Sequence, residues 1–184
     1  FFAYFRKSKD DIIFNYNRMY EWQQKDEDKF SLNEVKKSWL LRNKNFNINS
    51  IEDQRNSKLR KSFDINFLNL IKNNQEINFK IFFPPYSILA FKNFEEKDLL
   101  NDTLKFKYYI YNSLIALPNV EIYDFQIADN ITHNLSNYKD LSHYHQKINT
   151  WILKEMKKNN YLITKENIDY AIDTLKKQTK NYII

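Results

Sequence analysis

Asn119-Val-Glu-Ile-Tyr-Asp-Phe125 decides the fold, together with Asp140-Leu-Ser-His143 and the segment running on to Trp151. β-Branched and aromatic residues dominate the first run, and Pro118 separates it from what precedes. It reads as a buried strand. A polar loop follows. Tyr144 to Lys158 then carries Ile148, Trp151, Ile152 and Met156 at helical spacing. The loop sets a carboxylate three residues ahead of a histidine, just before that helix. This corner reads as half of an active site, and the rest of the chain as scaffold around it.

Working outward, Lys97 to Leu117 is long and helical in pattern, with Leu99, Leu100, Leu104, Tyr108, Ile110, Tyr111, Leu114 and Ile115 expected largely inward. Ser87 to Phe91 is expected as a turn or short helix. Before it, Ile77 to Phe83 is a second β-rich run, stopped by Pro84-Pro85, which cannot continue a central strand. Phe63, Ile65, Phe67, Leu68, Leu70 and Ile71 form a dense helical face ending near Asn73-Asn74, with Ser50-Ile-Glu-Asp53 as a candidate cap. Ser31-Leu-Asn-Glu34 fits a capping box, and a helix is expected from it to about Asn43. Further back, Phe1–Phe5 reads as the end of a buried element and Arg6–Asp11 as a charged loop. Ile12–Trp22 reads as a short helix or irregular aromatic segment, Gln23–Lys29 as a solvated run, and Asn45–Ser50 as loop. Beyond the corner, Thr164-Lys-Glu-Asn-Ile-Asp-Tyr170 opens a last amphipathic helix running to about Lys180. Helices alternating with strands imply an α/β fold, a parallel sheet with crossover helices. Residues 1–184 read as a single α/β domain without internal repeat, linker or low-complexity segment.

Composition bounds the function. The chain has 184 residues, 42% of them hydrophobic, enough for a real core. Its net charge of +6 is mild and scattered, with no basic stripe interleaved with aromatics, so nucleic acid is not the expected partner. Cys is absent, which excludes disulfides, thiolate catalysis and zinc–thiolate sites. No apolar run reaches the roughly 18 residues of a membrane span, and no signal peptide is visible. Gly is absent too, although about a dozen would be expected at average usage. Gly serves tight turns and close backbone approach to ligands. Together with the apolar start without Met, its absence leads us to expect the C-terminal part of a longer protein, incomplete at its N-terminus.

In parallel sheets, ligands bind beyond the carboxyl ends of the strands. Two such ends are readable: Pro84-Pro85-Tyr86-Ser87, and Asp124 onward to His143. Neighbouring strands would open both loops on one crevice. Asp140 and His143 have the ingredients of a base and its orienter, because a carboxylate on Nδ1–H holds the imidazole in one tautomer. An Asp ahead of a helix is also an ordinary cap, and a nearby His an ordinary surface residue. Ser87 follows a strand but lacks the glycine elbow that exposes a nucleophile, so a turn or cap role competes with a substrate role. His145 could replace His143 as base. Ser142 is expected to point away, and His133 to be a loop histidine. Asp124 is either structural or part of the crevice wall, and Tyr86 and Trp151 are either core or substrate platforms. His143, His145 and Asp140 do not form a recognised metal motif, and no metal is expected.

The order Val-x-Ile-Tyr-Asp-Phe, loop, Asp-x-x-His, helix resembles the last conserved block of the SGNH (GDSL-like) hydrolase superfamily, most of all its bacterial membrane-tethered branch that handles acyl groups on cell-surface polysaccharides. Phe82-Phe83-Pro84-Pro85-Tyr86-Ser87 is similar to the central strand and loop of SGNH-like proteins encoded near surface-glycan genes. The likeness covers roughly residues 77 to 158. It implies an SGNH/flavodoxin-like three-layer fold and a Ser-His-Asp esterase or O-acyltransferase that needs no cofactor, with His143 as base and Asp140 as orienter. It implies a carbohydrate or acyl-ester substrate in the bacterial cell envelope or periplasm, with Tyr86, Ser87, Asp124 and His145 around it. Any membrane tether would precede Phe1. The chain departs from the family in two places. No Gly-Asp-Ser block is present for the nucleophile, and Pro84-Pro85-Tyr86 stands where the family has its Gly-x-Asn oxyanion block. The serine nucleophile is therefore expected in sequence before Phe1, or lost. The rival expectation is a non-catalytic interaction module of the same fold.

Overall fold

The computed structural model describes residues 29–44 and 52–184. The elements expected within residues 1–28 and 45–51 lie outside them. Ser31 starts helix α1 (Leu32–Lys44) as the sequence predicts: the Glu34 N–H donates to Ser31 Oγ at 3.3 Å. Helix α2 (Glu52–Phe63) runs through one wide π turn, Asp64–Leu68, into a last α turn, Asn69–Lys72. The wide turn has a visible partner, because Tyr109 Oη donates to the Asp64 carboxylate at 2.8 Å.

The chain then turns into strand β1 (Phe79–Phe83). Helices α3 (Ile88–Glu95) and α4 (Leu100–Leu114) cross over to β2 (Val120–Asp124), which lies parallel to β1 with Ile81 opposite Ile122. The expected helix from Lys97 is thus divided. Its first residues close a turn in which Asp98 takes a positive φ of 54° and Leu99 N–H donates to Phe94 carbonyl at 2.7 Å. Helix α5 (Lys147–Lys157), strand β3 (Leu162–Ile163) and helix α6 (Ile168–Asn181) complete the described chain.

The fold is α/β, but the sheet is mixed rather than parallel. Among the described residues it has three strands in the order β1-β2-β3, and β3 runs antiparallel to β2. After α5 the chain reverses through Asn159 and Tyr161, both at positive φ. Tyr161 carbonyl accepts the Asp124 N–H at 2.9 Å, so the reversal delivers the next two residues alongside β2 pointing the other way.

Alternation along the strands separates two faces. Phe79, Ile81, Phe83 and Ile122 pack with Leu68, Ile71, Tyr111, Leu114, Ile168 and Ala171 on one face. Tyr123, on the other, packs with Phe125 and with Ile148, Ile152 and Met156 of α5. Helices therefore cover both faces of β2. Each buried aliphatic or aromatic side chain contributes about 1.5–3 kcal/mol. Tyr108 lies on the solvent side of α4, against expectation, since Tyr111 and Leu114 define the inward face.

Candidate active site

The loops leaving β1 and β2 meet. Ser87 donates to the Leu141 carbonyl twice, from its N–H at 3.0 Å and from Oγ at 2.9 Å. Tyr138 Oη donates to the Pro85 carbonyl at 2.7 Å. Within the second loop Tyr138 bridges Tyr144, Lys139 N–H donates to His143 carbonyl, and His145 N–H donates to Asn137 carbonyl. Tyr138 and Leu141 are buried beside Ile88 and Leu89 of α3. The sequence predicts these loops at one end of the sheet, and the parallel strands put both there. Tyr144 is spent on the bridge, which is why α5 starts at Lys147 rather than Tyr144.

Pinned on both sides, the turn Asp140–His143 presents its two polar side chains to each other. Asp140 Oδ1 accepts the N–H groups of Ser142 and His143, each at 2.8 Å. Asp140 Oδ2 lies 2.6 Å from His143 Nδ1. The carboxylate is 25% exposed and the imidazole 59%. Partial burial pushes the Asp140 carboxyl upward, but the two backbone N–H groups and the imidazole outweigh it and hold it below its ordinary value. An ionised carboxylate only accepts, so Nδ1 is the donor, and in the neutral ring the lone pair is on Nε2. That is the protonation pattern of a general base. Asp140 thus ties down its own loop and does not cap the helix.

The other candidates are placed differently. Ser87 is fully buried, and its hydroxyl staples the two loops instead of reaching a surface ligand. Tyr86 is half-buried and packs against two core clusters. His145 turns Nδ1 to the Lys147 N–H at 3.1 Å, an acceptor at the start of α5, while its ring meets Phe30 edge-on at 5.1 Å. Ser142 Oγ lies 3.4 Å from Asp140 Oδ1. His133 bonds Thr132 Oγ1 through Nδ1 and rests edge-on against Tyr182; burial lowers its pKa. Trp151 packs on Phe125 and Tyr161. Among the described residues no group of three or more His, Asp or Glu side chains is placed to hold a metal ion.

Asp124 turns inward and belongs to a buried network. Lys107 Nζ lies 2.6 Å from Asp124 Oδ2 and 2.7 Å from Gln126 Oε1. Tyr111 Oη donates to Asp124 Oδ2 at 2.6 Å, and Gln126 N–H to Oδ1 at 3.0 Å. Lys107 also sits 4.9 Å from the centre of the Phe83 ring. Burial lowers the pKa of Lys107, with Asp124 pulling it back. The same burial, reinforced by Asp124, raises the Tyr111 hydroxyl well above its ordinary value. This network is absent from the sequence reading, although the sequence carries a signal for it. Leu104, Lys107, Tyr111 and Leu114 follow the 3-4-3 spacing of one helix face, so a lysine stands among inward residues. The network fixes the exit of β2, from which the chain sets out toward His143.

No protein-family model, no curated protein and no solved structure matches this chain.

Proposed function

We propose that Asp140 and His143 are the orienter and base of a serine-type ester hydrolase or O-acyltransferase acting on a bacterial cell-surface carbohydrate, in an SGNH-like three-layer fold. The serine is supplied from outside residues 1–184. The observation that carries this reading is the 2.6 Å contact between His143 Nδ1 and Asp140 Oδ2, with Oδ1 held by two backbone N–H groups. The orienter cannot swing away without breaking its own turn. The imidazole is left with a basic nitrogen and an exposed ring. In the reaction, Nε2 would take the serine proton as oxygen attacks the ester carbonyl, then return it to the leaving alcohol. The resemblance of this block to the SGNH terminal motif supplies the substrate class and the envelope location.

A second reading is a non-catalytic interaction module. It is favoured by Ser87, the serine that follows β1, being buried with its hydroxyl on Leu141 carbonyl. Ester hydrolysis separates the two. Residues 1–184 alone are expected to show no turnover of p-nitrophenyl acetate, whereas the complete natural protein turns over. Activity of residues 1–184 alone would place the nucleophile within them. Inactivity of both would leave the interaction module.

A further inference from the structure

Ser87 stands at the N-cap of α3, where a serine hydroxyl ordinarily accepts an N–H of the first turn. This one makes no such bond to its own helix. The hydroxyl instead donates at 2.9 Å to the Leu141 carbonyl, 54 residues further along the chain. The Ser87 N–H donates to the same oxygen at 3.0 Å. A carbonyl oxygen has two lone pairs, so both are taken. Ser87 and Leu141 are both buried. A helix cap is forgone and one distant carbonyl is saturated, which marks that carbonyl as the point the first loop holds.

The Leu141 carbonyl shares a peptide unit with the Ser142 N–H, and that N–H donates to Asp140 Oδ1 at 2.8 Å. One rigid plane is therefore held at both ends, by Ser87 and by Asp140. Asp140 Oδ2 in turn lies 2.6 Å from His143 Nδ1. A continuous hydrogen-bonded chain thus runs from Ser87 through this peptide and Asp140 to the imidazole. Donation into the carbonyl polarises the amide and strengthens its N–H as a donor. Flipping the plane would break the bonds at both ends and turn the carbonyl toward the Asp140 carboxylate, acceptor against acceptor. We propose that Ser87 is the positioning residue of His143: it locks the Leu141–Ser142 peptide, so that Asp140 stays aimed at the ring. The link to the ring stands on these contacts alone. Its consequence for turnover rests on His143 being the base proposed above.

Ser87→Ala removes the hydroxyl and keeps the N–H. Nitrogen-15 NMR of the His143 ring, at a pH where it is neutral, is expected to show the Nε2–H tautomer rising roughly fivefold, the factor one neutral hydrogen bond is worth. Thr179→Val is the control, since it removes a buried hydroxyl-to-carbonyl bond of the same kind, from Thr179 Oγ1 to Leu175 at 2.8 Å within α6. It should lower the melting temperature without moving the ring. Amide exchange of the unmodified protein gives a reading that needs no variant to fold. A flip breaks the Ser87 N–H and Ser142 N–H bonds together, so the two amides should share one opening constant to within about threefold. In the complete natural protein Ser87→Ala should lower kcat about fivefold and leave KM unchanged. A ring unaltered in Ser87→Ala, or altered equally in Thr179→Val, would overturn the proposal. So would a Ser142 amide that opens about ten times more readily than that of Ser87. An altered ring in a natural protein that hydrolyses no ester would keep the positioning role and remove the base reading instead.

Discussion

Asp140 does two jobs with two oxygens, and they can be separated. Oδ1 holds the turn through Ser142 and His143 N–H, and Oδ2 holds the imidazole. Asp140→Asn can keep the first role with its amide oxygen but offers the imidazole no anion. Nitrogen-15 NMR of the His143 ring is expected to show one tautomer, protonated at Nδ1, in the wild-type protein and a mixture in Asp140→Asn. Asp140→Ala should in addition cost about 1 kcal/mol, the usual net loss when hydrogen bonds that hold a turn are removed. The sign of the pH effect follows from the lowered carboxyl. The stabilisation is present above the ordinary value of 3.8 and is lost as pH falls through the lower folded value. A single tautomer in Asp140→Asn would show that the carboxylate does not orient the ring.

At the scale of elements, the connection between α4 and β2 rests on Lys107 and Asp124. Both are buried, so each makes the other tolerable. Lys107→Met leaves Asp124 charged with only Tyr111 and the Gln126 N–H as donors, and should cost about 3–5 kcal/mol. Adding Asp124→Asn should restore most of it, because the anion is gone and the amide oxygen can still accept. Urea denaturation of the two variants checks this, and a single variant as stable as wild type would contradict it. The same elements show what was legible. β1, β2 and the α4 crossover could be read because short β-rich runs flank a long helical pattern. β3 could not, because two residues carry no period. Its position depends on Asn159 and Tyr161 taking positive φ in a chain without Gly. The break between α3 and α4 was hidden for the same reason, since Asp98 does there what Gly usually does.

For the molecule as a whole, tyrosine burial sets the alkaline limit. Burial raises the hydroxyl pKa of Tyr111, Tyr123 and Tyr138 above their ordinary 10.0. Groups with raised folded values contribute stability that is intact below the unfolded value and lost as pH climbs past it. Lys107 acts in the opposite sense, because its lowered folded value means that stability rises as pH approaches 10.5. Melting temperature is therefore expected to hold up to about pH 10 and then fall, with phenolate absorbance appearing in step with unfolding. Phenolate absorbance from these residues in the folded protein would contradict the account. The two loops at one end of the sheet were legible from the Pro84-Pro85 stop and the Asp-x-x-His spacing. The inward turn of Asp124 and Ser87 was not. A strand-end carboxylate or hydroxyl looks the same in sequence whether it faces a crevice or a buried lysine or carbonyl.

The central claim is that His143 is the base. Ester hydrolysis by the complete natural protein, compared between wild type, His143→Ala and His145→Ala, tests it most directly. His143→Ala is expected to lower turnover by roughly 10³-fold or more, as loss of a triad member does. His145→Ala should lower it far less, because Nδ1 of that ring is held by the Lys147 N–H. Full activity in His143→Ala, with the fold intact, would contradict the account.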